Sequence, residues 1–188
     1  MKTILTTFTL ILAATWSLHA EPLKTLKVGE AAPAFKIKDT RGKEIDLSKL
    51  SDKGPVLVRL TCGCLGCDRE LPYFQALHEA YKKEGIRLVA IFAEPDEKFA
   101  KYVKTKKLNM QYALDPGKNS WKIFGTKTMP SNFLIDKGGK VVAISKGCDP
   151  SGLIARNLGD KTANLVKAEK VDIKSQVDKN KKPAKAKK

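Results

Sequence analysis

The chain has 188 residues, 42% hydrophobic and 30% charged, with 36 Lys and Arg against 20 Asp and Glu for a formal charge of +16. That length and apolar content suit one core, and no internal repeat is visible. The lysines are scattered and no basic helix is interleaved with stacking aromatics, which argues against a nucleic-acid partner and leaves the charge to solubility and loose attraction to anionic surfaces.

Residues 1–20 read as a secretory signal, with Lys2 as the positive start, an apolar run over Ile4 to Trp16, and Ser17-Leu18-His19-Ala20 before the cut. The run is short and threonine-rich for a membrane span, so membrane association is expected only if the signal stays uncleaved. Cleavage implies export, most simply to a periplasm, where disulfides persist. One domain over residues 21–165 follows, and residues 166–188 carry nine lysines and three acids with little apolar content, which predicts a disordered Lys-rich tail.

Within the domain, Val28 to Lys38 leads into a short strand, Asp39 to Lys43 is turn-like, and Glu44-Ile45-Asp46-Leu47 completes a hairpin. Lys53-Gly54-Pro55 breaks the chain before Val56 to Leu60, a buried-strand pattern. Leu71, Phe74, Leu77 and Tyr81 recur at helical spacing up to Gly85, with Pro72 predicted to kink the helix near its start. Ile86 to Phe92 reads as a strand, Pro95 to Lys107 as an amphipathic helix, Asp115-Pro116-Gly117 as a turn, and Ser120 to Phe124 as a short helix. Ser131–Asp136 and Lys140–Ile144 are strands joined at Gly138-Gly139, and a last helix is expected from Asp149-Pro150-Ser151, with the aspartate as its cap. The alternation gives an α/β domain with a central mixed sheet flanked by helices.

Chemistry concentrates between the first buried strand and the helix after it. Cys62, Cys64 and Cys67 fall within six residues, and Cys148 follows far downstream. Cys64-Leu65-Gly66-Cys67 is a Cys-x-x-Cys pair at a helix start, where the exposed N–H groups stabilise a thiolate. The first sulfur is expected to be the exposed nucleophile and the second, one turn on, the shielded resolving thiol. A structural disulfide is the bland alternative, ill suited to a glycine-flanked helix start. Arg59, inside an apolar strand, reads equally as a snorkelling residue or as a thiol activator. His78 is the only histidine once His19 leaves with the signal, and it falls on an apolar helix face as packing. Trp121 and Phe124 read as core, and no phosphate-binding loop is present. No cofactor is called for.

The ordered landmarks Val28-Gly29 to Phe35, Asp39 with Gly42-Lys43, Cys64-x-x-Cys67 with Glu70-Leu71-Pro72, Met129-Pro130 before Phe133 to Asp136, and Gly138 with Lys140 to Val142 resemble the thioredoxin fold. They are most similar to exported TlpA/ResA-type thiol–disulfide oxidoreductases and the neighbouring alkyl-hydroperoxide-reductase/thiol-specific-antioxidant group, over residues 27–158. The resemblance implies a thioredoxin-like fold with an N-terminal β-hairpin extension, and disulfide exchange with exported protein substrates. It also implies a redox partner that resets the pair, a cis bond at Pro130 facing the cysteines, and substrate pairing beside Met129 and Pro130. The family's Trp before the first cysteine is Gly63 here, its prolines between the pair are Leu65-Gly66, and Val58 stands where cytosolic thioredoxins have a buried acid. Asp68 replaces a commonly basic residue, with Arg69 as its expected offset.

Two other chemistries stay open. Thr61 precedes Cys64 by three, as in a thiol peroxidase, although the companion proline is Leu57 here. Cys62, Cys64, Cys67 and Cys148 together are a ligand set for zinc or copper(I). In the implied topology the chain after Ile144 returns to the active-site edge, which makes Cys62 and Cys148 candidates for an auxiliary reversible disulfide.

Overall fold

The structure is a computed structural model that describes residues 25–181; the proposed signal, residues 21–24 and residues 182–188 lie outside the described residues. β1 (Lys36–Lys38) and β2 (Glu44–Asp46) form an antiparallel hairpin. The Asp39 carboxylate closes it by accepting the Arg41 and Lys43 N–H groups, each at 2.9 Å. Leu47, expected as the end of the second strand, instead opens the short helix α1 (Leu47–Ser51), because Asp46 caps it by accepting the Lys49 N–H.

The main sheet contains β3 (Val56–Thr61), β4 (Arg87–Phe92), β5 (Gln111–Leu114), β6 (Ser131–Ile135) and β7 (Val141–Lys146) in the order β5-β4-β3-β6-β7. β3, β4 and β5 are mutually parallel, and β6 and β7 run antiparallel, so the sheet is mixed. Its connections carry α2 (Leu65–Tyr81), α3 (Asp96–Lys106) and α4 (Asn119–Ile123); α5 (Leu153–Val166) follows β7. This is the thioredoxin-like arrangement, with the hairpin as a separate two-stranded sheet.

Strand alternation divides the core into two layers. Val56, Val58 and Leu60 face Phe35, Trp121, Phe124 and Phe133 on one side. Leu57, Leu88, Ala90 and Leu134 face α2 and α5 on the other, against Phe74, Leu77 and Leu158. Arg59 shares the parity of Leu57 and is thereby directed under α2. That helix is continuous through Pro72, because a buried face outweighs the one backbone bond the proline cannot make. The last long helix starts at Leu153, later than Asp149-Pro150. Asp149 spends its carboxylate on the Ser151 N–H, and Gly152 takes φ +76 as the N-cap. A Cβ at Gly152 would lie 2.3 Å from the Tyr73 ring, so both backbone conformation and space require glycine there.

The expectation of a disordered tail is corrected for residues 166–181; residues 182–188 lie outside the described residues. α5 extends to Val166, and α6 (Ile173–Lys181) packs against α2. Ile173 and Val177, one helical turn apart, are buried with Leu77, Tyr81 and Leu158. The Val171 N–H donates to the Tyr81 hydroxyl at 2.9 Å. Lysine content concealed the pair of apolar residues on one face, which suffices to dock a helix onto a waiting groove. Ile173→Ala should therefore cost about 2–4 kcal/mol by urea unfolding, and deleting 168–188 should lower the melting temperature clearly. An unchanged transition in both variants would restore the detached tail.

Candidate functional site

The three clustered cysteines lie at the C-terminal edge of β3. The Thr61 carbonyl accepts the Ala93 N–H at 3.1 Å, and the Gly63 N–H donates to Glu94 Oε1 at 2.6 Å, so the segment is tied on both sides of Cys62 to the end of β4. Cys64 is the N-cap of α2 and is exposed, whereas Cys67 in the first turn is buried. The Cys62 thiol donates to Cys64 Sγ at 2.8 Å, and its sulfur lies 3.4 Å from Cys67 Sγ. All three sulfurs are within 4.8 Å of one another, close enough for disulfide exchange or for bridging by one thiophilic ion.

The three thiols differ electrostatically. Partial burial pushes Cys64 up, but this is outweighed by the Cys62 thiol and by the first-turn N–H groups of Cys67 and Gly66, leaving its pKa below the ordinary value. Burial pushes Cys67 up, against the opposing pull of the Thr61 hydroxyl. Burial, followed by its hydrogen bond to Cys64, also raises Cys62. The pattern is one thiolate-prone sulfur in contact with proton-holding neighbours. Thr61, the residue that suggested a peroxidase, thus acts on Cys67.

The departures from the family pattern have local causes. A Cβ at Gly63 would lie 3.2 Å from two ring carbons of Tyr102. That ring is held by stacking on Phe99 and by its hydroxyl, which donates to Asp68 Oδ1 at 2.7 Å. Tyr102 thus crowds the space beside Gly63 that a larger side chain would need. Asp68 also pairs with Lys106 at 2.7 Å, so the partner of its charge is Lys106 and not the expected Arg69. At Gly66 a Cβ would come within 2.9 Å of Cys148 Sγ, so the missing side chain and the fourth cysteine belong together.

Arg59 is neither snorkelling nor at an edge. It is 1% exposed, its guanidinium donates to Glu70 Oε2 at 2.8 Å and to Asn132 Oδ1 at 2.9 Å, and it stacks 4.0 Å over the Phe74 ring. Glu70, fully buried, accepts the Asp149 N–H with its other oxygen at 3.0 Å, and Asn132 donates to Ser145 Oγ. Glu70, Glu94 and Tyr102 were missed as site residues. Only Glu70 gave a signal, three residues after Cys67 and so on the same helix face.

The Met129–Pro130 bond is cis. Antiparallel pairing of Leu60 with Ser131 sets these two residues across from Thr61-Cys62 at the same sheet edge. The Pro130 carbonyl accepts the Gly147 N–H at 2.9 Å, which brings the segment after β7 back to that edge and seats Cys148 over Gly66. Cys148 is exposed and stands outside the three-sulfur group, so Cys62 contacts Cys64 and Cys67 in place of the expected Cys148. His78, half-buried in α2, is pushed down in pKa by burial, as suits packing.

The AhpC/TSA family model matches residues 28–144. The chain is 36% identical over 123 residues to the thiol-disulfide oxidoreductase ResA of Bacillus thuringiensis subsp. konkukian, covering 65% of this chain and 71% of that one. It is 33% identical over 132 residues to the ResA of Geobacillus kaustophilus, covering 70% and 76%. A solved thiol:disulfide interchange protein from Bacteroides sp. is 25% identical with a TM-score of 0.62, over 77% of this chain and 93% of that one.

Glu70→Gln leaves the Arg59 guanidinium buried without its counter-charge and should cost about 3–5 kcal/mol. Replacing both partners, as Arg59→Met with Glu70→Leu, should cost less than the single change. Urea midpoints of the two variants check the order, and a double variant weaker than the single would show that the pair itself stabilises the fold.

Proposed function

Because the chain belongs to the AhpC/TSA family and is a thiol–disulfide oxidoreductase, we propose that Cys64 is its nucleophile and Cys67 its resolving thiol, acting on disulfides or dithiols of exported proteins. The observation that carries this is the contrast between the exposed, thiolate-prone Cys64 and the buried, proton-holding Cys67 one turn away. In the reducing direction the Cys64 thiolate attacks one sulfur of a substrate disulfide, forms a mixed disulfide and expels the other sulfur as a thiolate. Cys67 then attacks Cys64 Sγ; the bond to substrate breaks, the departing sulfur takes the Cys67 proton, and two electrons have passed to the substrate. The reverse sequence oxidises a dithiol.

The substrate would lie extended along the cis-proline loop. The Pro130 carbonyl already accepts the Gly147 N–H, so strand-like pairing falls chiefly to the Met129 backbone. A separate redox protein resets the Cys64–Cys67 pair. The signal-like pattern over residues 1–20 supports an exchange outside the cytoplasm, most simply in a periplasm; no helix among the described residues is long and apolar enough to cross a membrane.

Cys64→Ser should reduce insulin disulfide reduction to background. In the wild type, Cys64 alkylation by iodoacetamide should rise with pH through a midpoint below the roughly 8.5 of a free cysteine, since a depressed pKa supplies thiolate at lower pH. Cys67 should alkylate only at higher pH. Cys67 as the first-labelled thiol, or an active Cys64→Ser protein, would reject the assignment.

A further inference from the structure

The family's chemistry needs two thiols, and this site has three in contact. Cys62 follows directly on β3, and the bonds at Thr61 and Gly63 on either side of it prevent the loop from carrying its sulfur away. Its Sγ is 2.8 Å from Cys64 Sγ and 3.4 Å from Cys67 Sγ. Any bond that Cys64 makes to a substrate sulfur is therefore formed beside a second intramolecular thiol. Cys62 is partly accessible where Cys67 is buried. Resting on Cys64 as the nucleophile, we infer that Cys62 is a second resolving thiol, able to close a Cys62–Cys64 disulfide in competition with Cys64–Cys67.

The step balances as ordinary exchange. With substrate held as a mixed disulfide on Cys64, the Cys62 sulfur attacks Cys64 Sγ. The Cys62–Cys64 bond forms, the bond from Cys64 to substrate breaks, and the released substrate sulfur takes the Cys62 proton. The two electrons leave from the Cys62 and Cys64 thiols. Cys67 can then attack this disulfide at Cys64, returning Cys62 as a thiol and leaving the Cys64–Cys67 pair. Cys148, over Gly66 and outside the three-sulfur group, has no part in it.

The test uses the full chain in a Cys148→Ser background, reduced and then treated with one equivalent of dithiobis(nitrobenzoate). Formation of the mixed disulfide on Cys64 releases one thionitrobenzoate, and resolution by a neighbouring thiol releases a second. With Cys67→Ser added, release should still reach two equivalents, and the tryptic peptide 60–69, now holding only Cys62 and Cys64, should be two hydrogens lighter than its reduced form. With Cys62→Ser and Cys67→Ser together, release should stop at one and the adduct should stay on Cys64. Cys67→Ala replaces Cys67→Ser if the buried hydroxyl disturbs folding. One equivalent and a lasting adduct with Cys67→Ser alone would overturn the second resolving role while leaving Cys64 the nucleophile. Absence of an adduct on Cys64 in the double variant would instead remove the nucleophile assignment, and this inference with it.

Discussion

The Arg59–Glu70 ion pair organises the active-site edge. A buried guanidinium stacked on the Phe74 ring is tolerable only where its donors are met, and each group that meets them comes from a different element. Glu70 belongs to α2, which begins at the cysteines, and Asn132 to β6, which begins beside the cis-proline. Through Ser145 and the Asp149 N–H the same network reaches the end of β7 and the segment that carries Cys148. Cys64, the cis-proline loop and Cys148 are thus fixed relative to one another by one buried ion pair. Its role is positional, since a buried pair adds little net stability over a well-packed apolar replacement.

The loop itself shows how substitutions travel together. Gly63 leaves room for Tyr102, whose hydroxyl shares Asp68 with Lys106. An acid placed after the cysteine pair would oppose thiolate formation, but here its charge is taken up by a lysine on the neighbouring helix. Gly66 similarly leaves room for the Cys148 sulfur. A side chain added at Gly63 meets the Tyr102 ring at 3.2 Å and one at Gly66 meets Cys148 Sγ at 2.9 Å, so each would require its neighbour to move.

How much of this could be read from the chain depends on whether the signal was local. Val56 to Leu60 and Ser131 to Ile135 were legible as strands because burial on both faces leaves them short runs dominated by apolar residues, interrupted only by Arg59 and by Ser131-Asn132. Gln111–Leu114, a short edge strand with half-polar residues, offered neither pattern, and α6 was obscured by its lysines because only Ile173 and Val177 are buried in the core there. The Cys64–Cys67 pair was legible for the same local reason, both residues lying on one turn. Arg59 and Glu70 are 11 residues apart on a strand and a helix, and Glu94 is 31 residues from the Gly63 it tethers; such pairs appear only once β3, β4 and α2 are stacked. The grouping of Cys62 with Cys64 and Cys67 was legible as a ligand set, but the hydrogen bond from Cys62 to Cys64 was not, because alternation along an ideal strand says nothing of a chain leaving a strand for an N-cap.

That contact also changes where the reactivity of Cys64 originates. In a Cys-x-x-Cys site the dipeptide and the helix terminus are the usual means of stabilising the thiolate, and a helix terminus near the surface contributes about 0.3–1 kcal/mol. The Cys62 thiol, 2.8 Å from Cys64 Sγ, is the largest single influence holding the Cys64 pKa down, ahead of the N–H groups of Cys67 and of Gly66 taken one at a time. Leu65-Gly66 offers no polar side chain, so the help Cys64 receives comes from Cys62 and Cys67 and from the first-turn N–H groups. In the proposed exchange, the Cys62 sulfur stabilises the Cys64 thiolate while reduced and displaces what that thiolate has captured. On that mechanism, nucleophile strength and release of substrate are coupled through one side chain that a two-cysteine site lacks.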